Sequence, residues 1–102
     1  MEEYIMNINF KQEVQNHKED LLKDLFELLS IRSILGTDIT EKTPFGSGPR
    51  EALDKMLSFG ERDGYKTKLV ENKAGHIEVG EGEELFGILG HVDVVPVVEA
   101  DW

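Results

Sequence analysis

The run "LFGILGHVDVV", Leu85 to Val95, constrains this chain more than any other stretch. It is apolar except for two glycines, His91 and Asp93, and it lacks the every-other-residue alternation of a half-wet strand. An apolar run of this length without alternation predicts a strand covered on both faces, as in parallel or mixed sheets flanked by helices. The fold class that meets this demand is α/β. The run closes on His91-Val92-Asp93 and turns at Pro96, so polar groups stand at the strand's tip. In open α/β sheets ligands gather at such strand ends.

The segments upstream supply candidate layers. Residues Lys11 to Leu29 predict one helix, because Val14, His17, Leu21, Leu25, Leu28 and Leu29 recur at three/four spacing and Leu22 and Phe26 widen the stripe. Asn7 or Asn9 is the expected cap. "SIRSILG" weakens the helix, and the polar stretch "TDITEKTPFGSG" reads as a loop long enough to suggest a functional or mobile segment. A second helix follows over "PREALDKMLSFGERDG". Pro49 is its expected first residue, Ser47 or Gly48 its cap, and Gly64 its stop. Ala52, Leu53, Met56, Leu57 and Phe59 form its predicted buried face, and Gly60 is expected to loosen its last turn. "YKTKLVE" and "HIEV" alternate as strands around the turn "NKAG", and "GEGE" turns the chain toward the apolar run. The predicted order is two N-terminal helices followed by three strands.

Composition excludes several functions. Among 102 residues, 11 are Lys or Arg and 21 are Asp or Glu, for a net charge of −10. Such a chain repels phosphate backbones and anionic bilayers, so neither nucleic acid nor membrane is an expected partner. With no cysteine there is no disulfide, no thiolate metal cluster and no cysteine nucleophile. "MEEYIMNINF" lacks the basic and apolar regions of a secretory signal, and the cytoplasm is the expected location.

The candidate sites differ in specificity. His91 and Asp93, two residues apart on a strand, point to one side. Spacing alone leaves two readings open: a metal-ligating imidazole whose second ring nitrogen is held by a carboxylate, or the polar end of a strand. His76 reads as a hairpin residue and His17 as helix packing. "GSGPRE" lacks both phosphate-loop patterns and reads as the start of a helix. No serine sits in a nucleophile elbow. "EGEE" reads as a solvated acidic turn, and cation buffering by net charge is a minor idea.

Several segments, in order and spacing, resemble one family. "DLFELLSIRSI" resembles the end of the first helix in dinuclear zinc peptidases related to carnosinase and succinyl-diaminopimelate desuccinylase. "GSGPREALDKMLSFGERDGYKTKLVENKAGHIEVGEGEELFGILGHVDVVP" resembles their bacterial branch, the Xaa-His or beta-alanyl dipeptidases. The likeness runs from Glu13 to Pro96, and "GILGHVDVVP" is its most specific part.

The resemblance implies that residues 1–102 are the N-terminal part of an α/β/α catalytic domain. It implies that His91 is a zinc ligand and that Asp93 is the carboxylate that orients it. It implies two zinc ions, a dipeptide substrate, and amide hydrolysis by a zinc-bridging water with a glutamate base. The family's remaining ligands, its glutamates and its lid or dimerisation domain lie beyond the His-x-Asp strand. The family's Gly-Asp-Gly-Trp-like turn after the proline is replaced here by "VVEADW". The chain is therefore expected to be a fragment, inactive alone. The rival reading is a non-catalytic α/β module that self-associates or binds a partner through its exposed last strand.

Overall fold

The computed structural model describes residues 7–102. The reading of the first residues as free of a secretory signal falls largely on residues 1–6, outside the described residues. Three helices, a two-stranded antiparallel sheet and a short 3₁₀ turn make up the regular structure among the described residues.

Helix α1 spans Phe10–Asn16, and the Asn9 side chain caps it by accepting from the Gln12 N–H at 3.1 Å. Helix α2 spans Lys18–Leu29. The single predicted helix is thus divided at His17 (φ −102°, ψ 3°), whose N–H turns back to the Glu13 and Val14 carbonyls. Glu19 and Asp20 fill the first turn of α2, where negative charge favours a helix N-terminus.

Helix α3 spans Ser47–Arg62, with Asp63 at its C-cap and Gly64 beyond it at φ 83°. The strands are β1, Lys66–Val70, and β2, Ala74–Glu78, in a register that sets Lys66 opposite Glu78 and Val70 opposite Ala74. Their turn is Glu71-Asn72-Lys73, one residue earlier than "NKAG" predicts. Glu71 and Asn72 both take positive φ, at 52° and 61°, and the Lys73 N–H donates to the Val70 carbonyl at 3.0 Å.

The core lies between α3 and the hairpin. Ala52 is fully buried and Leu57 nearly so, while Thr67, Leu69 and Ile77 turn inward and Lys66 and Lys68 face water. Gly60 lies at the closest approach of helix to sheet. A Cβ there would stand 2.9 Å from Ile77 Cγ2 and 3.0 Å from Thr67 Cγ2. Gly60 therefore sets the packing distance rather than loosening the turn.

Two expectations fail. The apolar stripe of α1 and α2 is largely exposed, with Val14, Leu21, Leu25 and Leu29 all open to solvent. The third strand is not formed: residues 84–98 have no regular structure, and Leu85 and Leu89 are 91% and 101% exposed. A strand is defined by its ladder, and no strand among the described residues lies beside this run. The radius of gyration, 17.1 Å, exceeds the roughly 13 Å of a compact chain this long. No helix among the described residues is long and apolar enough to cross a membrane.

Candidate metal-binding site

The candidate site rests on the loop between α2 and α3. That loop is tied together by hydrogen bonds. Thr40 and Thr43 pair through their hydroxyls at 2.7 Å, and Thr43 donates to the Asp38 carbonyl at 3.1 Å. Asp38 then reaches the helix: its Oδ1 accepts from the Ser47 N–H at 3.2 Å, capping α3 from nine residues upstream. Hydrogen bonds from Ser47 hold the Asp38 carboxyl below the usual carboxylate range. Arg50 donates to the Lys42 carbonyl at 2.7 Å and to Asn72 Oδ1 at 3.0 Å, while the Asn72 amide donates to the Glu41 carbonyl at 3.3 Å. This clasp ties loop, helix and hairpin turn together.

The Arg32–Ser33 turn lies beneath the first turn of α3. A Cβ at Gly48 would sit far inside contact distance of the Arg32 carbonyl oxygen and 3.5 Å from Ser33 Cα. Ser33 is buried, at 4% exposure, and its carbonyl accepts from the Val94 N–H at 3.2 Å. That bond anchors the C-terminal segment beside the loop.

The same peptide unit orients His91. Its carbonyl, Asp93 O, lies 2.9 Å from His91 Nδ1, and Asp93 Oδ1 lies 3.2 Å from the same nitrogen. A carbonyl oxygen can only accept, so Nδ1 carries the proton and donates to both oxygens. In the neutral ring Nε2 is then the bare nitrogen, the atom an imidazole offers to a metal. The pair is open to solvent, with 80% of the His91 side chain and 66% of the Asp93 side chain exposed. Among the described residues no group of three His, Asp or Glu side chains could hold a metal ion.

The other sequence candidates lie elsewhere. His17 is exposed at the break between helices, 3.9 Å from Glu13, and is not packed as expected. His76 lies in β2 opposite Lys68. "SGPRE" forms the first turns of α3, a helix start as read, but the helix begins at Ser47 with Gly46 at its N-cap, two residues before the expected Pro49 start and not capped by Ser47 or Gly48. The 3₁₀ turn Glu99–Asp101 and exposed Trp102 follow Pro96.

A surface concavity between α2 and α3 is lined by Asp20, Asp24, Arg62, Asp63 and Tyr65. Its cation is already engaged. Arg62 forms a bidentate pair with Asp24, both bonds 2.9 Å, and a second pair with Asp63 at 2.9 and 3.1 Å. Those bonds hold both carboxyls below their ordinary range and raise the guanidinium above its own. The long-range contacts of Ser33, Asp38 and Gly48 are what sequence reading missed. The Gly-Ser-Gly spacing could have signalled close backbone approach, but nothing local links Asp38 to Ser47.

No protein-family model matches the chain. A Beta-Ala-Xaa dipeptidase of Lactobacillus delbrueckii subsp. lactis is 44% identical over 95 residues, 92% of this chain and 20% of that protein. A putative dipeptidase of Staphylococcus epidermidis is 49% identical over 88 residues, 85% of this chain and 19% of the relative. One from Bacillus subtilis is 44% identical over 90 residues.

The chain is homologous to proteins named dipeptidases. It spans about a fifth of the length of these dipeptidase relatives.

Proposed function

We propose that the chain forms part of the catalytic domain of a dinuclear zinc dipeptidase, in the bacterial Xaa-His or beta-alanyl branch of the carnosinase and succinyl-diaminopimelate desuccinylase family. The observation that carries the reaction class is the 44–49% identity, over 85–92% of the chain, to proteins named dipeptidases. His91 is the zinc ligand, through Nε2, and Asp93 orients its ring. The donor set fits one ligand position: Nδ1 is committed to two oxygens of Asp93, and Nε2 is left as a lone-pair donor.

When bound, zinc would polarise the scissile carbonyl and lower the pKa of water. The chain's own contribution is narrower. His91 presents a nitrogen in one tautomer, and Asp93 holds that tautomer. The substrate class is a dipeptide with a free amino terminus, and the expected setting is the cytoplasm. A catalytic zinc takes about three protein ligands, so the isolated chain is expected to bind zinc weakly and to hydrolyse no dipeptide.

Two experiments test this reading. Reading the source DNA beyond the Trp102 codon is expected to reveal an aspartate, a Glu-Glu pair and a histidine as further ligands and base. Calorimetric titration of the 102-residue chain with zinc is expected to give weak binding; tight stoichiometric binding with dipeptide hydrolysis refutes the assignment of an incomplete site.

One observation favours a second reading. Leu85, Phe86, Ile88 and Leu89 form a nearly fully exposed apolar run. Surface of this kind supports association with a second copy or a partner chain. Sedimentation over a concentration series separates the readings: a chain that stays monomeric removes the case for an association module.

A further inference from the structure

The peptide between Asp93 and Val94 is shared by two hydrogen bonds. Its N–H donates to the Ser33 carbonyl at 3.2 Å, and its C=O faces His91 Nδ1 at 2.9 Å. The order is therefore Ser33 C=O, the 93–94 amide, and the His91 ring N–H. Hydrogen bonds in series through one amide polarise each other, so the first strengthens the second. The anchor itself is buried and braced, because Ser33 is 4% exposed and its turn is pressed against α3 where Gly48 leaves no room for a side chain. The imidazole at the other end is exposed, and among the described residues both bonds from its ring go to Asp93: the carbonyl at 2.9 Å and the carboxylate Oδ1 at 3.2 Å.

We propose that the Arg32–Ser33 turn, clamped by Gly48, is the seat that selects the His91 tautomer and ring orientation through the 93–94 peptide. Ser33 and Gly48 are then positioning residues for the metal-ligand nitrogen. Only that last step rests on the zinc-ligand reading above; the seat itself does not need a metal. The side chain of Ser33 is incidental to this role. Its carbonyl does the holding, and the first turn of α3 fixes where that carbonyl points.

The test is the ring-nitrogen NMR spectrum of His91 in the ¹⁵N-labelled 102-residue chain, at a pH where the imidazole is neutral. An unconstrained imidazole favours the Nε2–H tautomer, so a predominant Nδ1–H tautomer in the parent chain is the expected signature. Val94→Pro deletes the N–H without touching α3. With the seat gone the 93–94 carbonyl is free to leave His91 Nδ1, so the Nδ1–H to Nε2–H ratio is expected to fall by up to about fivefold, the worth of that one ordinary hydrogen bond. Gly48→Ala is expected to move the ratio the same way, because the added methyl displaces the Arg32–Ser33 turn. Amide exchange of Thr67 and Lys68 reports whether α3 still covers the hairpin. Where Gly48→Ala unfolds the chain, Val94→Pro decides alone.

An unchanged tautomer in Val94→Pro, or a parent chain already at the unconstrained balance, overturns the proposal. Adding zinc chloride separates it from the function reading. A selective shift of the His91 Nε2 resonance supports the ligand assignment. No shift even at zinc concentrations high enough to register weak binding, with the Nδ1–H tautomer still predominant, refutes the ligand assignment and leaves the seat standing.

Discussion

Replacing Gly60 by alanine sets two effects against each other. In an ordinary exposed helix interior, Gly→Ala stabilises by about 0.8–1 kcal/mol through propensity. At position 60 the new methyl would lie 2.9 and 3.0 Å from Ile77 Cγ2 and Cγ1, and 3.0 Å from Thr67 Cγ2. Carbon atoms pack best at about 3.5–4.0 Å, so at least roughly half an ångström must open. The neighbours cannot yield by rotation. Both are β-branched and stiff at χ1, and both sit on paired strands, Thr67 directly opposite Ile77. The whole hairpin must lift from α3. Overpacking of this kind costs about 1–3 kcal/mol, and three contacts against stiff groups place it in the upper part, about 2–3.

Subtracting the propensity gain leaves a net loss of about 1–2 kcal/mol. The assay is thermal unfolding followed by far-ultraviolet circular dichroism, where each kcal/mol moves Tm by about 4–8 °C in a chain of this size. Ser58→Ala, on an exposed position of the same helix, is the control and should be neutral or slightly stabilising. If Gly60→Ala raises Tm, the helix–hairpin contact does not limit packing and the account of the core is wrong.

Other outcomes follow from the same contacts. Asp24, Asp38 and Asp63 all have carboxyls held below their ordinary range in the folded chain, chiefly by hydrogen bonds from Arg62, Ser47 and Arg62 respectively. Their contribution is therefore complete above the unfolded carboxylate pKa of about 3.9 and is lost as pH falls through the lower folded values. Urea midpoints measured from pH 7 down to 2 should fall, and Asp38→Asn should flatten part of that fall; a midpoint that rises on acidification contradicts the sign. Asn72→Ala removes one of the partners of Arg50 and the bond to the Glu41 carbonyl, so it should lower stability by about 1–2 kcal/mol and increase amide exchange in residues 40–43. In a protein that completes the metal site, Asp93→Ala should weaken zinc binding about 10–100-fold, read by competition with a chelating dye. Unchanged affinity would remove Asp93 from its orienting role.

Local signals were legible wherever one segment decided its own structure. Asn9 capped a helix start as read, Gly64 followed the end of α3, and Thr67 and Leu69 alternated inward against two wet lysines. The family resemblance read in "GILGHVDVVP" marked His91 and Asp93 as the pair to inspect. Their spacing alone could not fix a tautomer. That required knowing which nitrogen faces Asp93 O.

The sequence by itself determined which segments are helical, though not the break at His17, together with the hairpin, the acidic charge and the kinship with dipeptidases, because periodicity, caps and ordered motifs are written along the chain. Tertiary structure alone decided what depends on residues far apart. It placed Asp38 at the N-terminus of α3, Gly60 against Ile77, and Ser33 against the amide that orients His91. It also left "LFGILGHVDVV" without a strand. An apolar run says that it should be covered, but a ladder needs a neighbour to accept and donate its hydrogen bonds, and that neighbour is not encoded in the run itself.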